Sequence, residues 1–410
     1  MRSWKSLGLV FGLACFALSA CSGSGSNGST PLPDGGKNGQ PGQSGADGGI
    51  PGGDEDGSAP LLSDGGKPPT GTDGSVPKTD SGGGAPPLAG ATNVQIITEP
   101  NGNDDSELVA AIKAAKKSVH MTMYLLDESS VVTALIAQHK AGLDVKVVLN
   151  QTFPSGTTNN NPATYTQLQT AGVGVVWANA RFQYTHEKTV ILDGTTAWIM
   201  TMNIDQTSPT SNREYLVVDS EAADATEADA IFNADYSAAG VITATGSLVV
   251  APEPPNNCRS AIVQLVNSAT KTLDIEAEEF SDFGNSGDGV TQAVVAAATR
   301  KVKVRLVLAQ GTPDATQTEA IGDVKAAGGS VVVSGAQSGS GNASSPYIHA
   351  KVMVVDCDGT TCANGYIGSE NFTGGSLGYN RELGVIVSNG TELQAVDNTI
   401  DGDFKAGTAQ

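Results

Sequence analysis

The hydrophobic positions of the second half of the chain repeat those of the first half. Within each half, the apolar residues follow the i, i+4, i+7 spacing of a buried helix face that runs into a strand. This repeat predicts a helix followed by a strand at the same place in both halves. The matching residues, at a constant offset of 154, are Leu108, Ile112, Ala115 and Val119 in the first half and Ile262, Val266, Ala269 and Leu273 in the second.

A second pair of apolar runs extends the repeat. Residues 145–149 match residues 304–308 at an offset of 159, and both runs are short and rich in β-branched side chains. Each run follows a predicted helical segment, at about 128–141 and about 288–300. Strands that alternate with helices in this order are typical of an α/β unit with a mixed, largely buried sheet.

We therefore predict an α/β fold made of two homologous α-β-α sandwich domains, at residues 91–245 and 246–410. Duplicated domains commonly pack around a pseudo-twofold axis. Matching residues of the two copies can then meet in one cleft at the interface.

Residues 22–90 differ from the rest of the chain in composition. They hold 21 of the 51 glycines and 10 of the 19 prolines, and no Phe, Trp or Tyr. Such a stretch cannot bury enough apolar surface to offset its chain entropy, so we predict a disordered tether over residues 21–90. The remaining residues, 91–410, carry 18 basic and 35 acidic side chains, a net charge of −17. This charge repels polyanions and argues against non-specific binding to DNA or RNA.

The amino-terminal residues predict export. Arg2 and Lys5 precede an apolar run, residues 7–17, that is too short to span a bilayer but suits a signal peptide over residues 1–20. The run ends in Leu18-Ser19-Ala20-Cys21, which resembles the bacterial lipobox, and we expect a lipid anchor on Cys21 and an outer-membrane location. The alternative is an ordinary signal peptide with an incidental cysteine.

Cys357 and Cys362 flank a predicted turn. The Asp-Gly pair between them lies between two apolar runs, and a hairpin there would bring the two cysteines close enough for a disulfide in an oxidising compartment. The alternative is two unpaired thiols in a loop. No Cys/His spacing resembles a zinc site, so neither a metal nor a cofactor is expected.

One pattern around a histidine occurs twice in the chain. In both copies a Lys follows the His after two residues and an Asp follows it after seven. Residues i and i+2 of a strand face the same side, so the His and Lys of each copy point together. The Asp has the opposite parity and is assigned to the support of the fold. The copies are His186-Glu187-Lys188 with Asp193 and His349-Ala350-Lys351 with Asp356.

Further polar residues recur after each copy, and their chemistry suits a phosphodiester. Lys and Asn side chains can donate to the non-bridging oxygens and stabilise charge at phosphorus. One neutral imidazole can attack phosphorus, a second, protonated one can donate to the leaving alkoxide, and a carboxylate can orient each ring. The residues are Thr201, Asn203 and Asn212-Arg213-Glu214 in the first copy, and Ser369, Asn371 and Asn380-Arg381-Glu382 in the second.

The double pattern resembles the phospholipase D superfamily, which includes phospholipases, cardiolipin and phosphatidylserine synthases, and metal-independent nucleases. The resemblance covers essentially all of residues 91–410. It implies a phosphohistidine mechanism in which His186 is the nucleophile and His349 is the proton donor. The phosphate-binding residues that it implies are Lys188, Lys351, Asn203 and Asn371.

The first copy departs from the family pattern at one point. The second copy has Gly368-Ser369-Glu370-Asn371, whereas the first has Met200-Thr201-Met202-Asn203. Because Thr keeps the hydroxyl, Thr201 and Ser369 are both expected to bind substrate. The added bulk of Met200 is expected to narrow the pocket on that side.

Some residues beside the motifs have two interpretations. Those that follow matching strands either line the cleft or pack at the strand ends; they are Tyr124, Asp127, Glu278, Glu279 and Phe280. The two remaining histidines, His120 and His139, are assigned to the scaffold.

Three functions are compatible with the sequence. The first is a phospholipase D-like hydrolase or transphosphatidylase that acts on phospholipid head groups beside the membrane. The second is a nuclease of the same superfamily, which the acidic charge and the lipid anchor disfavour. The third is a non-catalytic surface lipoprotein. We expect a monomer, because both motifs lie in one chain.

Overall fold

The computed structural model describes residues 89–410 except Gly156, Thr158 and Asn285. The predicted signal peptide, the lipid anchor at Cys21 and the tether up to residue 88 lie outside the described residues. Within the described part of the chain, no helix is both long and apolar enough to cross a membrane.

The described residues form alternating strands and helices, as the apolar pattern predicts. The strands are β1 Val94–Glu99, β2 Ser118–Met123, β3 Asp144–Leu149, β4 Gly174–Trp177, β5 Lys188–Leu192, β6 Thr196–Met200, β7 Asn212–Asp219, β8 Leu248–Ala251, β9 Thr272–Ala277, β10 Lys303–Gln310, β11 Ser330–Gln337, β12 Tyr347–Ile348, β13 Lys351–Val355, β14 Asn364–Gly368, β15 Glu382–Val387 and β16 Thr408–Ala409. The helices are α1 Ser106–Ala114, α2 Ser129–Lys140, α3 Asn161–Thr170, α4 Ser208–Ser211, α5 Ala222–Tyr236, α6 Cys258–Ser268, α7 Val290–Thr299, α8 Ala315–Ala326, α9 Gly374–Tyr379 and α10 Gly390–Ala406.

Each half builds a mixed sheet with the same strand order. The order is β4-β3-β2-β5-β6-β7-β1 in the first half and β11-β10-β9-β13-β14-β15-β8 in the second. In each sheet the first three strands of this order are parallel and are joined by helices, and the others pair antiparallel. Parallel neighbours need a crossover connection, whereas antiparallel neighbours can be joined by a tight turn. The predicted fold class is thereby confirmed, and the point between residues 245 and 246 falls between α5 and β8.

Three hydrophobic clusters fill the space between the layers. One packs α1 and α2 on the first sheet, and another packs α6, α7 and α8 on the second. The third is shared, because it joins Phe232 of α5 and Ile400 of α10 to strand residues of both sheets, such as Ile199 and Val352. The two halves therefore share one central core.

Two ion pairs, one buried and one partly buried, cross between the halves at matching positions. Arg381, after α9, pairs with Asp235 of α5 at 2.7 Å, and Arg213 of β7 pairs with Asp403 of α10 at 2.7 Å. Short β12 completes the junction by pairing with both β7 and β11. Removing one partner of a buried pair leaves an uncompensated charge, so these pairs specify how the halves dock.

Asp193 and Asp356 lie at the far ends of β5 and β13 from the histidines. Asp193 accepts the backbone N–H groups of residues 116–118, and Asp356 those of residues 270–272, with N···O distances from 2.6 to 3.1 Å in both cases. Burial alone would raise the pKa of either carboxyl, but these hydrogen bonds outweigh it and hold both pKa values below the ordinary range. The structure therefore places both residues in the support of the sheet.

The loop between β13 and β14 contains a disulfide between Cys357 and Cys362. Cys258 is buried at the start of α6 as a free thiol, and its Sγ donates to the carbonyl of Leu377 at 3.3 Å.

Candidate active site

His186 and His349 lie at the junction of the two halves, one at each matching position. Each is almost fully buried and precedes the strand that carries its Lys. The backbone N–H of His186 donates to the carbonyl of Arg381 at 2.9 Å, and that of His349 donates to the carbonyl of Arg213 at 3.3 Å. The backbone of each half thus holds the histidine of the other half.

The orienting carboxylates are exchanged between the halves. Nδ1 of His186 lies 2.8 Å from Oε2 of Glu382, and Nδ1 of His349 lies 2.6 Å from Oε1 of Glu214. A carboxylate on Nδ1 favours a proton on that nitrogen and leaves Nε2 as the reacting atom. The sequence identified both glutamates but not this exchange.

Each glutamate is held by further side chains of its own half. Glu382 accepts from Ser376 Oγ at 2.7 Å and from Asn380 Nδ2 at 3.1 Å. Glu214 accepts from Asn212 Nδ2 at 3.2 Å and from the hydroxyl of Thr201. These bonds occupy the remaining lone pairs of buried carboxylates, which fixes the geometry of the rings beyond them.

The two lysines are fully buried and differ in their partners. Nζ of Lys188 lies 2.9 Å from Nε2 of His186, and Nζ of Lys351 donates to Oε2 of Glu278 at 2.7 Å. Both also donate to the backbone carbonyl of their own histidine, at 2.8 and 2.9 Å. The predicted pairing of His and Lys on one side of each strand is present in both copies.

The residue that follows the first strand of each parallel set differs between the halves. Tyr124 follows β2, and its ring meets the ring of His186 edge-on at 4.7 Å and lies 5.1 Å from Nζ of Lys188. Glu278 follows β9, and its Oε2 lies 3.6 Å from Nε2 of His349. Of the residues with two interpretations, these two therefore contact the site, whereas Phe280 is part of the core.

Asn203 and Asn371 are buried beside the histidines' strands. Asn203 lines the cavity next to His349, and the Oδ1 atoms of both amides have no hydrogen-bond partner among the described residues. This observation concerns the acceptor oxygens only, and the phosphate-binding role, which would use the N–H donors of both amides, stays a prediction.

Thr201 and Ser369 differ from the prediction that they bind substrate. Both are fully buried, and the hydroxyl of Thr201 donates to Glu214 and accepts from the backbone of Tyr215 at 2.9 Å. The hydroxyl of Ser369 bonds the backbone of Leu383 at 3.1 and 3.4 Å. Since these bonds occupy the hydroxyls, both residues position β7 and β15 rather than contact substrate.

Met200 also differs from its expectation. Its side chain is fully buried in the hydrophobic cluster between the first sheet and its outer helices, so it fills the core and does not line the described cavity. At the matching Gly368, an added Cβ would lie 2.5 Å from Oε2 of Glu370 and from Cα of Gly384. The second half needs Gly here because a buried pair, Tyr366 donating to Glu370, occupies the space.

A polar cavity of about 170 Å³ opens beside His349. By volume it corresponds to roughly five or six water molecules. Apart from Gly339, every residue that lines it is polar, and the lining includes Glu278, Asp205, Asn203 and Tyr347.

Glu187, between His186 and Lys188, points away from the site. It is buried, and this burial together with the nearby carboxylate of Asp235 raises its pKa to about 8. The matching residue of the second half is Ala350.

Comparison with known proteins places these features in a family. The sequence profile described as "Cardiolipin synthase, PLD-like domain" matches residues 108–236 and again residues 262–404, well over half of the chain. No curated protein sequence matches the chain significantly.

Several solved structures are similar to this fold. Phosphatidylserine synthase from Haemophilus influenzae aligns with a TM-score of 0.58 at 12% identity, over 79% of this chain and 89% of that one. Polyphosphate kinase from Porphyromonas gingivalis aligns with a TM-score of 0.55 at 15% identity, over 75% of this chain and 46% of that chain. The alignment therefore spans less than half the length of the kinase.

A third structure, the phospholipase D family member Nuc from Salmonella typhimurium, aligns at 22% identity over 40% of this chain and 97% of that one, with a TM-score of 0.33. The profile that matches twice, once in each half, confirms the resemblance stated from the motifs. This chain belongs to the phospholipase D-like family.

Proposed function

We propose that the protein is a metal-independent phosphodiesterase of phospholipase D type, which cleaves or transfers phospholipid head groups through a phosphohistidine at His186. One observation carries the proposal. Two buried histidines lie at the junction of the halves, each oriented through Nδ1 by a carboxylate of the other half and accompanied by its own lysine.

The geometry suits a displacement in two steps. Nε2 of His186 attacks phosphorus, the bond from phosphorus to the head-group oxygen breaks, and His349 donates a proton to that oxygen. A water molecule or an alcohol then gives its proton to His349 and attacks phosphorus, which releases His186. Hydrolysis and head-group transfer differ only in this second acceptor.

The surroundings of the two histidines favour a phospholipid as substrate. The ring of Tyr124 lies against His186, and Tyr124 in turn lies 4.8 Å from Phe153 and 6.5 Å from Tyr184. Beside His349 lies the small polar cavity. An aromatic cluster beside His186 and a polar cavity beside His349 are consistent with a substrate that has an apolar part and a polar head group.

Charge and relatives support the same substrate class. The net charge of −17 over residues 91–410 disfavours a nucleic acid polyanion. The matching family profile is named for cardiolipin synthase, and one structural relative is a phosphatidylserine synthase. A lipid anchor at Cys21 would hold the enzyme beside the membrane, where these substrates lie.

The test offers both substrate classes to the full-length protein in detergent. Phosphatidylcholine with ethanol and, separately, plasmid DNA are incubated in the presence of EDTA, and the products are identified by mass spectrometry and gel electrophoresis. Phosphatidic acid together with phosphatidylethanol is the expected result.

Matched variants make the result specific. His186→Asn is expected to abolish product formation, whereas His139→Asn, which changes a histidine of α2 outside the site, should retain it. Cleavage of DNA but not lipid would favour the nuclease. Binding of phospholipid without turnover by the unaltered protein would favour the non-catalytic alternative.

A further inference from the structure

We propose that Glu278 is a positioning residue that holds His349 in the protonated form and so makes it the proton donor of the site. The proposal rests on the proposed function and assigns a role to a residue outside the repeated motif. It starts from the difference between Tyr124 and Glu278, which occupy matching positions after β2 and β9.

Backbone pairing places Glu278 beside His349. Its backbone N–H donates to the carbonyl of Ala350 at 2.8 Å, which continues the pairing of β9 with β13 by one residue. This bond brings the side chain alongside His349, and only 5% of the residue is exposed. Because its surroundings exclude bulk water, the charge of this carboxylate is poorly screened.

Two hydrogen bonds fix the carboxylate of Glu278. Tyr347 of β12 donates from Oη to Oε1 at 2.8 Å, and Lys351 of β13 donates from Nζ to Oε2 at 2.7 Å. The same Oε2 lies 3.6 Å from Nε2 of His349. Glu278 is thus held from two elements with one oxygen facing the reacting nitrogen.

An ammonium lies beside Nε2 of His186, and a carboxylate lies beside Nε2 of His349. Nε2 of His186 faces the ammonium of Lys188 at 2.9 Å, and an N–H donor there requires a nitrogen lone pair. The carboxylate of Glu278 lies 3.6 Å from Nε2 of His349, and its charge favours an N–H on that nitrogen. With Glu214 on Nδ1 at 2.6 Å, His349 has a carboxylate at each nitrogen and is stabilised as the imidazolium.

The remaining charged groups near His349 do not reverse this balance. Lys351 is paired with Glu278 and with the carbonyl of His349. Asp205 lines the same cavity and adds a further negative charge, although its carboxylate accepts from the backbone of Thr207 and Ser208. The groups near His349 thus include the two carboxylates of Glu214 and Glu278, the ammonium of Lys351 and the phenol of Tyr347, with Asp205 elsewhere in the cavity lining.

The test is the pH dependence of Glu278→Gln, with the full-length protein and phosphatidylcholine. A general acid must be protonated, so kcat falls as the pH rises above its pKa. Without the charge of Glu278, the alkaline limb of the kcat profile is expected to move by about one pH unit or more toward lower pH. KM should not rise, since the change removes a negative charge from beside the phosphate.

A second readout separates proton donation from structural damage. The same lipid carrying a p-nitrophenyl leaving group needs little protonation of the departing oxygen. At pH values on the alkaline limb, we therefore expect Glu278→Gln to slow the release of choline about tenfold. The release of p-nitrophenol in the first turnover should change much less. Glu278→Asp keeps the charge and should restore part of the alkaline limb.

Glu319→Gln, which changes an exposed carboxylate of α8 outside the site, is the control and should leave the alkaline limb in place. Equal slowing of both leaving groups, or a Glu278→Gln protein that does not fold, would overturn the proposal, because either would show that Glu278 serves the fold. An unmoved alkaline limb would also overturn it, because it would show that Glu278 does not set the protonation of His349. Absence of turnover by the unaltered protein on either lipid would instead count against the proposed function.

Discussion

In the first half of the chain the position after the central strand is Tyr124, and in the second half it is Glu278. Around them the two halves match closely: a histidine, a lysine two residues later and a carboxylate from the opposite half. Beside the aromatic ring, Nζ of Lys188 lies 2.9 Å from Nε2 of His186, and beside the carboxylate, Nζ of Lys351 donates to Oε2 of Glu278 at 2.7 Å. A duplicated scaffold can therefore supply two chemical roles through one difference beside each histidine.

The same contrast occurs in the cores behind the two histidines. Trp198, Met200 and Met202 of the first half belong to an apolar cluster. At the matching positions the second half has Tyr366, Gly368 and Glu370, with the Tyr donating to a fully buried Glu. Burial, together with the nearby charge of Glu382, raises the pKa of Glu370 well above its ordinary value.

The largest expected effects come from replacing each of the two histidines in turn by asparagine. His186→Asn removes the nucleophile and should lower kcat by about 10⁴-fold or more. His349→Asn removes only proton transfer and should cost about 10²- to 10⁴-fold. Mass spectrometry of protein quenched during turnover of phosphatidylcholine should detect a phosphatidyl adduct on His186 in the His349→Asn protein.

That comparison has a clear opposite outcome. An adduct on His349 in the His186→Asn protein, with none on His186 in the other variant, would reverse the two roles.

The next largest effect is expected on the free energy of unfolding, when each of the matching core residues Gly368 and Met200 is replaced by its counterpart. In Gly368→Met the new side chain meets Glu370 and Gly384 at its first carbon, and we expect a loss of about 3 kcal/mol or more in the free energy of unfolding. Met200→Gly leaves a cavity and a more flexible backbone, at a cost of about 2–5 kcal/mol. Urea unfolding of both variants measures these changes, and a neutral Gly368→Met would show that the second core can repack like the first.

The smallest effect concerns Glu187, whose counterpart is Ala350. Below about pH 4.5 its carboxyl is protonated in both the folded and the unfolded chain, but as the pH rises toward 8 only the folded chain keeps the proton. The fold therefore loses stability over this window, and Glu187→Gln should remove the loss. We expect the melting temperature to rise by a few degrees near pH 8, and to change little near pH 4.5.

Differential scanning fluorimetry at both pH values measures this difference. The exposed Glu319→Gln serves as the control and should show no such pH dependence. A destabilised Glu187→Gln protein at pH 8 would mean that the carboxyl of Glu187 is ionised and stabilising.

The repeat itself could be predicted because it depends on local periodicity. Leu108 and Ile112 mark a helix face whatever lies around them, and α1, α2, β3, α7 and β10 lie within a few residues of the predicted segments. The motif residues could be found for the same reason: the spacing of His186 and Lys188 on one strand places their side chains on one face.

Contacts between distant residues could not be predicted in this way. Nothing in the sequence indicates that Glu382 rather than Glu214 serves His186, because the choice depends on how the two halves dock. Thr201 was assigned to substrate since its hydroxyl was visible in the sequence and its partner Glu214 was not known to be in reach. Glu278 is outside the repeated pattern, and only its contacts with Lys351 and His349 distinguish it from strand-end packing.

The exchange of carboxylates between the halves has a consequence for biosynthesis. His186 and Lys188 are translated early, but the carboxylate that orients His186 is Glu382, 196 residues later. A nascent chain that has not yet reached Glu382 lacks the carboxylate that holds the ring of His186. This part of the site is therefore incomplete until nearly the whole polypeptide has been made and its two halves have docked.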